Sequence, residues 1–437
     1  MSTAEAPPSV PPGGEDRDAQ RTYLAVWAAN FLAAIGMMSF IPFFPSYLAH
    51  LGVEDRLVPL WAGICVGAAP LAAALMGPVW GALGDRYGRK PMLLRALLGI
   101  VVFVGLMSLA RTPVELLVLR LGQGVFSGFL PPSVTLVSLS FPAGRQGRVA
   151  GGLQAAMAGG TIVGPLFGSF FRANYAPHLL FLATASLALL AALLVAFGTR
   201  EPAGEDAAAG GALGADDRTG PLAMLADVFV RLGSMLRKPR MGPALLFLFA
   251  AQFGVGATNP QLELFVAHLH PDWTQAEVTR HTGWLFSVMA VAAVATMPRW
   301  GRIGDERGHG RVLVISALVS GLAMFVSGLA PVFWVLLVGR LLLGVFGSGL
   351  APAAFGVVAG VTPRAEQGAA NGAVFSARAL AMAISSMLGG ALVSLVGLRG
   401  LFVAAGALLL LLSLAGRGRL GPAPGGPGGP PTEPPLS

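Results

Sequence analysis

Between positions 22 and 415 the chain is a succession of apolar runs, each close to the roughly 20 residues that carry an α-helix across a bilayer. They fall at 22–48, 58–80, 92–110, 113–138, 148–171, 177–198, 242–267, 282–300, 311–329, 332–359, 367–395 and 398–415. Six lie on either side of a polar connector, so the expected fold is an all-α membrane protein with twelve transmembrane helices. Composition agrees. Of all residues 54% are hydrophobic and 11% charged, whereas a soluble domain carries about 25% charge, so most of this surface must face lipid.

The segments outside the runs set the domain organisation: a tail without fixed structure at 1–21, a six-helix bundle at 22–198, a connector at 199–241, a second bundle at 242–415 and a low-complexity tail at 416–437. The first tail is rich in Pro, Gly and acids, and the last carries Pro-Gly-Gly repeats. Within the connector, Asp227 to Leu236 can form a short surface helix. The first apolar run lacks the short hydrophobic region and small-residue cleavage site of a signal peptide, so it is expected to stay in the membrane. Arg86, Arg89, Lys90 and Arg95 fall on the same side as both tails and the connector, while the opposite side receives Arg56, Arg111, Arg172, Arg280 and Arg399. The excess on the first side places both termini in the cytoplasm.

The net charge of +8 comes without a basic stripe interleaved with aromatics, which argues against nucleic acid as a partner. Cys65 is the only cysteine and sits in an apolar run, so neither an internal disulfide nor a thiolate metal cluster can form. The six histidines lack metal-ligand spacing, and no metal or cofactor is expected.

The two bundles are copies. Gly81-Ala82-Leu83-Gly84-Asp85-Arg86-Tyr87-Gly88-Arg89-Lys90 recurs, weakened, as Gly301-Arg302-Ile303-Gly304-Asp305-Glu306-Arg307-Gly308. Arg120-Leu121-x-x-Gly124-Val125-Phe126 recurs as Arg340-Leu341-x-x-Gly344-Val345-Phe346, and Pro78-x-Trp80 as Pro298-x-Trp300. Tyr47-Leu48-Ala49-His50-Leu51 resembles Phe265-Val266-Ala267-His268-Leu269 at the matching helix end. Two six-helix halves in the same orientation are parallel repeats, an arrangement that puts a binding site near the bilayer midplane where the halves meet.

Taken together, these residues resemble the major facilitator superfamily. Its signature loop is matched by Gly81, Gly84, Asp85, Arg86, Gly88, Arg89 and Lys90. The glycines permit a tight turn, and Asp85 can accept charge-assisted bonds from an arginine or a helix N-terminus. Such a latch would hold the cytoplasmic side shut; a solvated basic turn that only sets topology is the plain alternative. In the second copy Gly301, Asp305 and Gly308 remain, but His309 and Gly310 replace the two cations, which weakens the latch. The fifth run carries Gly160, Gly164, Pro165 and Gly168, which resembles the antiporter motif of the superfamily's proton-driven drug exporters, with Ser169 in place of the final glycine. Glycines four apart let membrane helices approach closely, and Pro165 bends the helix. A packing face with no bearing on transport direction is the alternative.

Arg120, with Gln123 and Gly124, resembles the exporters' Arg-x-x-x-Gly element, which the family links to proton handling or to holding the core helices together. A guanidinium at this depth costs at least about 2.5 kcal/mol and must face a partner, a polar cavity or, by snorkelling, the interface. Proton coupling needs a group that changes charge inside the membrane, and Glu263 is the best placed, on one helix face with Asn259 and Gln252. An interfacial carboxylate without a coupling role is its alternative. Arg378 has no acid within a turn; it either faces an anionic cargo, pairs with Glu263, or packs helices through backbone carbonyls. Asn30, Met37, Gln123, Gln252 and Asn259 are the expected cavity-lining residues. Asp272, Glu277 and His270 are expected on a solvated loop.

The resemblance implies a proton-coupled exporter of small amphipathic compounds in a bacterial cytoplasmic membrane, working by alternating access as a monomer. Its partners are a small-molecule substrate, protons and the lipid bilayer. No nucleotide loop, nucleophile arrangement or cofactor fingerprint points to an enzyme. Export of one defined solute, such as a sugar, lipid or metabolite, is the rival within transport. A non-transporting membrane sensor on the same fold is the rival outside it.

Overall fold

The computed structural model describes residues 14–199, 241–361 and 367–416, and all regular structure among them is helical. The side chains of Asp85 and Arg86 lie outside the described set, as do the connector with its 227–236 stretch and the C-terminal tail. The first half comprises α1 (Gly14–Phe40, continued past a 3-10 turn at Ile41–Phe43 by Phe44–His50), α2 (Val58–Tyr87), α3 (Arg89–Met107), α4 (Pro113–Phe126, continued by Leu130–Leu139), α5 (Ala143–Asn174) and α6 (Pro177–Gly198). The second comprises α7 (Met241–Thr258, a 3-10 turn at Asn259–Gln261, then Leu262–Leu269), α8 (Gln275–Arg307), α9 (His309–Gly328) and α10 (Phe333–Gly347, continued by Leu350–Val361). Gln367–Gly416 completes it; Gly397, at φ 74°, divides this stretch into α11 and α12.

Packing establishes that Gly397 marks a reversal. Gly390 lies against Pro59 and Leu60 while Gly67 lies against Ala383, so α11 runs antiparallel to α2 toward the end of the molecule away from the described termini. Beyond Gly397, Val403 faces Gly328 and Leu410 faces Gly321, so α12 returns alongside α9. Among the described residues, ten stretches are individually long and apolar enough to cross a membrane. Counting the two arms of the last one separately and adding α7 gives the twelve expected segments.

Two boundaries differ from expectation for local reasons. α1 begins at Gly14, inside the segment expected to lack structure; Arg21 anchors it by donating to the Phe197 carbonyl of α6 at 3.1 Å. α8 begins at Gln275, because Thr274 and Glu277 close a capping box that satisfies the first backbone N–H groups. Glu277, expected on a solvated loop, is therefore part of a helix start.

The repeats share their irregularities. The 3-10 turns of α1 and α7 centre on Pro42 and Pro260, and α4 and α10 both break shortly after Gly124 and Gly344. Beside each of those breaks a tryptophan holds the same carbonyl: Trp80 Nε1 donates to Val125 and Trp300 Nε1 to Val345, both at 2.6 Å. The halves differ inside. The first has one continuous hydrophobic core. In the second, a cluster at the terminal end around Val312, Ala317 and Ala354 is separate from one at the distal end around Leu262, Phe265 and Phe402.

Candidate functional site

The halves meet at the distal end. Gly63 packs against the Ser386 carbonyl and Gly390, Gly67 against Ala383 and Met387, and Gly283 against Pro165 and Ser169, so closely that a side chain at any of these glycines would collide. Toward the terminal end, Gly77 on α2 and Gly301 on α8 have open space around them. The close glycine contacts between the halves therefore lie at the distal end.

Glu263 sits in the closed seam, 2% exposed. Its carboxylate accepts from the Ser46 backbone N–H at 3.1 Å, from Gln275 Nε2 at 3.1 Å and from Thr279 Oγ1 at 3.5 Å. Ser46 lies in the first turn after the Pro42 break, where backbone N–H groups lack helical partners and favour an anion. The adjoining Ser46 hydroxyl accepts from Arg172 Nε of α5 at 3.3 Å. A carboxylate of the second half thus caps a helix of the first. Gln261 adds a bond to the Pro59 carbonyl at 3.0 Å. Sequence reasoning singled out Glu263 but not Ser46, Gln275 or Arg172; the shared proline break was the signal that could have found Ser46.

The expected polar stripe on α7 is divided by the 3-10 turn. Gln252 lines a cavity, Asn259 Oδ1 accepts from Arg340 Nη1 at 2.7 Å, and Glu263 turns to the other half. Arg378 does not meet Glu263. It borders the same cavity as Gln252, with no hydrogen bond or ion pair to the described residues.

The gating loop is mostly helix. α2 runs through Gly81, Gly84, Asp85 and Arg86 to Tyr87, and the turn shrinks to Gly88 at φ 94°, with Arg89 already opening α3. Gly308 repeats this at φ 92° between α8 and α9, following Gly301 and Asp305 on the last turns of α8. A left-handed backbone explains why both positions hold glycine. Lys90 Nζ donates to the Ala196 and Thr199 carbonyls at 2.9 and 2.6 Å, which caps the C-terminal end of α6. In the second copy His309 Nε2 lies 3.3 Å from Asp305.

Gly160, Gly164 and Gly168 form a groove on α5 that receives α1 at Phe31–Ile35, Met38 and Ser39. The adjoining edge of α5 meets α8: Ser287 Oγ donates to the Ile162 carbonyl at 2.8 Å, beside the turn where Pro165 withholds a backbone donor. Ser169, the departure from the family motif, faces Gly283. The small residue has moved to the opposing helix.

Asn30 and Gln123 are buried and bonded within the first half, and Met37 is half-buried against its core. Gln123 is fully buried; it accepts from Arg120 and contacts Met37 Sδ at 2.9 Å through Nε2. Asn30 Oδ1 accepts from Ser133 at 3.0 Å. Arg120, 1% exposed, donates Nε to the Cys65 carbonyl at 2.9 Å and Nη2 to the Val66 carbonyl at 3.3 Å, over the rings of Phe40 and Phe44. Val66 is the residue whose carbonyl loses its helical donor to Pro70. Arg120 therefore ties α4 to α2.

The cavity holding Gln252 and Arg378 has a volume of about 200 Å³ and is walled by α7 to α12, between the two separate core clusters of the second half. Among the described residues, the wall of this cavity comes from the second half. In the first half the α5 glycines let α1 sink onto α5; in the second, close approach is kept distally, where Gly256 faces Ser385 and Gly389 faces Ala257.

Twelve helices in two such repeats, with paired glycine turns and matching helix breaks, form one architecture, and the model of the Major Facilitator Superfamily matches residues 26–279 and 244–435. The chain belongs to the major facilitator superfamily. Multidrug resistance protein MdtG of Citrobacter koseri is 31% identical over 341 residues, covering 76% of this chain and 79% of that protein. The protein of the same name from Salmonella typhimurium is 30% identical over 340 residues with the same coverage. Among solved structures, the nucleoside transporter NupG superposes with TM-score 0.74 at 13% identity, over 91% of this chain and 98% of that one. A bacterial homolog of the human lysosomal transporter Spinster does so with TM-score 0.72 at 15% identity, over 90% and 94%. These two share the superfamily fold, and the chain is a multi-pass membrane protein.

Proposed function

We propose that this superfamily member exports small amphipathic compounds from a bacterial cell by proton-coupled alternating access. It resides in the inner membrane with both termini in the cytoplasm. Its relatives named multidrug resistance proteins support the substrate class, and the placement of Lys and Arg supports the orientation. With that orientation, the end at which the halves pack through Gly63, Gly67 and Gly283 faces outward, as a carrier awaiting cargo from inside requires.

The observation that carries the reading is the Glu263 seam. The carboxylate closes the outward side by accepting a backbone N–H from the opposite half. Protonation removes the charge that makes these bonds strong, so gain of a proton and loosening of the outer seam are linked. Gating and charge change then reside in one group.

Everted membrane vesicles test the proposal. They are expected to accumulate amphipathic compounds when energised and to lose them on addition of an uncoupler. Glu263→Gln preserves shape while fixing the side chain as neutral, and is expected to abolish the dependence on the pH gradient. If that dependence persists at wild-type strength, the coupling group lies elsewhere.

A further inference from the structure

We infer that the cavity in the second half is a subsite for the acidic head of an amphipathic organic anion, with Arg378 as its counter-ion. The inference rests on the reading of this chain as an exporter of small amphipathic compounds, and it names the charge class of the cargo.

Three features of the cavity converge. Among the described residues, Arg378 borders it with no hydrogen bond or ion pair and no Asp or Glu contributes to the wall, so the single formal charge they supply is positive. A guanidinium at membrane depth without a partner is costly enough to mark a functional position by default. Neutral hydrogen-bonding groups stand beside it: the Gln252 amide and the hydroxyl of Ser320, a fully buried side chain whose Oγ has no partner. The remaining wall includes Met289, Met297 and Met324, whose flexible thioethers adapt to varied apolar bodies. A cavity of about 150 Å³ holds a benzene ring; the 200 Å³ here takes an acid head and its first ring.

Comparison of the repeats separates this arginine from the scaffold arginines. Aligning Gln146-Gly147 with Gln367-Gly368 pairs Arg378 with Met157. Arg120 and Arg340, by contrast, recur in both halves and bond to protein groups. A cation required for helix packing would have a counterpart in the first half. Arg378 has none, and it faces open volume.

The test uses the full chain in lipid nanodiscs and three ligands with one ring system: 2-naphthoate, neutral 2-naphthamide and cationic 2-naphthylmethyl-trimethylammonium. Calorimetric binding is expected to favour 2-naphthoate over the amide by about tenfold or more, the usual worth of a charge-assisted bond. Arg378→Gln is expected to reduce 2-naphthoate to the level of the amide while leaving the amide and the thermal midpoint unchanged; Arg378→Lys retains part of the preference. Gln252→Glu places a carboxylate beside Arg378 in the same cavity, where the two pair and cancel, and is expected to abolish the preference for 2-naphthoate over the amide, which keeps the test decisive if Arg378→Gln does not fold. Equal affinity for anion and amide in the wild-type protein, or a preference that survives Arg378→Gln, overturns the assignment. Arg378-dependent binding in a protein whose vesicles export nothing leaves the subsite standing and removes the transport reading instead.

Discussion

Arg120 and Arg340 occupy the same place in the two halves under different constraints. Pro70 deprives the Val66 carbonyl of a helical donor, and Arg120 supplies the replacement. The corresponding position in α8 is Ala290, which frees no carbonyl, so Arg340 turns to Asn259 and leaves its Nη2 buried without a partner. Replacing Arg120 with Met orphans buried acceptors and is expected to cost about 2 kcal/mol or more. Arg340→Met removes an incompletely satisfied buried charge, and the expected change stays within about 1 kcal/mol of zero. Unfolding of the two variants in mixed micelles measures the difference; equal losses would show that the proline does not set the role of the arginine.

Helix irregularities place the groups that matter. The Pro42 and Pro260 breaks bring the first turn of one half beside the carboxylate of the other, and glycines at Gly63, Gly67 and Gly283 let α2 and α5 contact α11 and α8 without intervening side chains. A bulky residue there acts as a wedge. Gly63→Leu is expected to lengthen the distance between spin labels at positions 54 and 272 in a Cys65→Ala background, as the outer seam opens. Gly77→Leu, at a glycine with open surroundings, is the matched control. An unchanged distance distribution in Gly63→Leu would mean that the α2–α11 contact does not hold the seam.

At the scale of the whole molecule the two halves divide their labour. The first has a continuous core in which Asn30 and Gln123 are bonded, and the second has separate clusters flanking a cavity where Arg378 has no hydrogen bond or ion pair among the described residues. The helix ends that carry the proposed latch lie at the opposite face. Asp85→Asn is expected to slow vesicle transport while the variant inserts at wild-type levels. Normal flux in that variant would remove the latch from the cycle.

Sequence alone determined the spans, the duplication and the family, because each is a local signal: run length follows from bilayer thickness, and a repeat is visible as identity at a fixed offset. Glu263 and Arg378 also stood out, since an ionisable group within an apolar run is conspicuous wherever it points. Their directions were not legible. Glu263 faces the other half and Arg378 a cavity because a 3-10 turn rotates α7 and because helix spacing in the second half differs from that in the first. Gln123 is buried through its bonds to Arg120 and Met37, which bring α4 and α1 together. Which side chains meet is set by packing between segments more than 200 positions apart, and no local pattern encodes it.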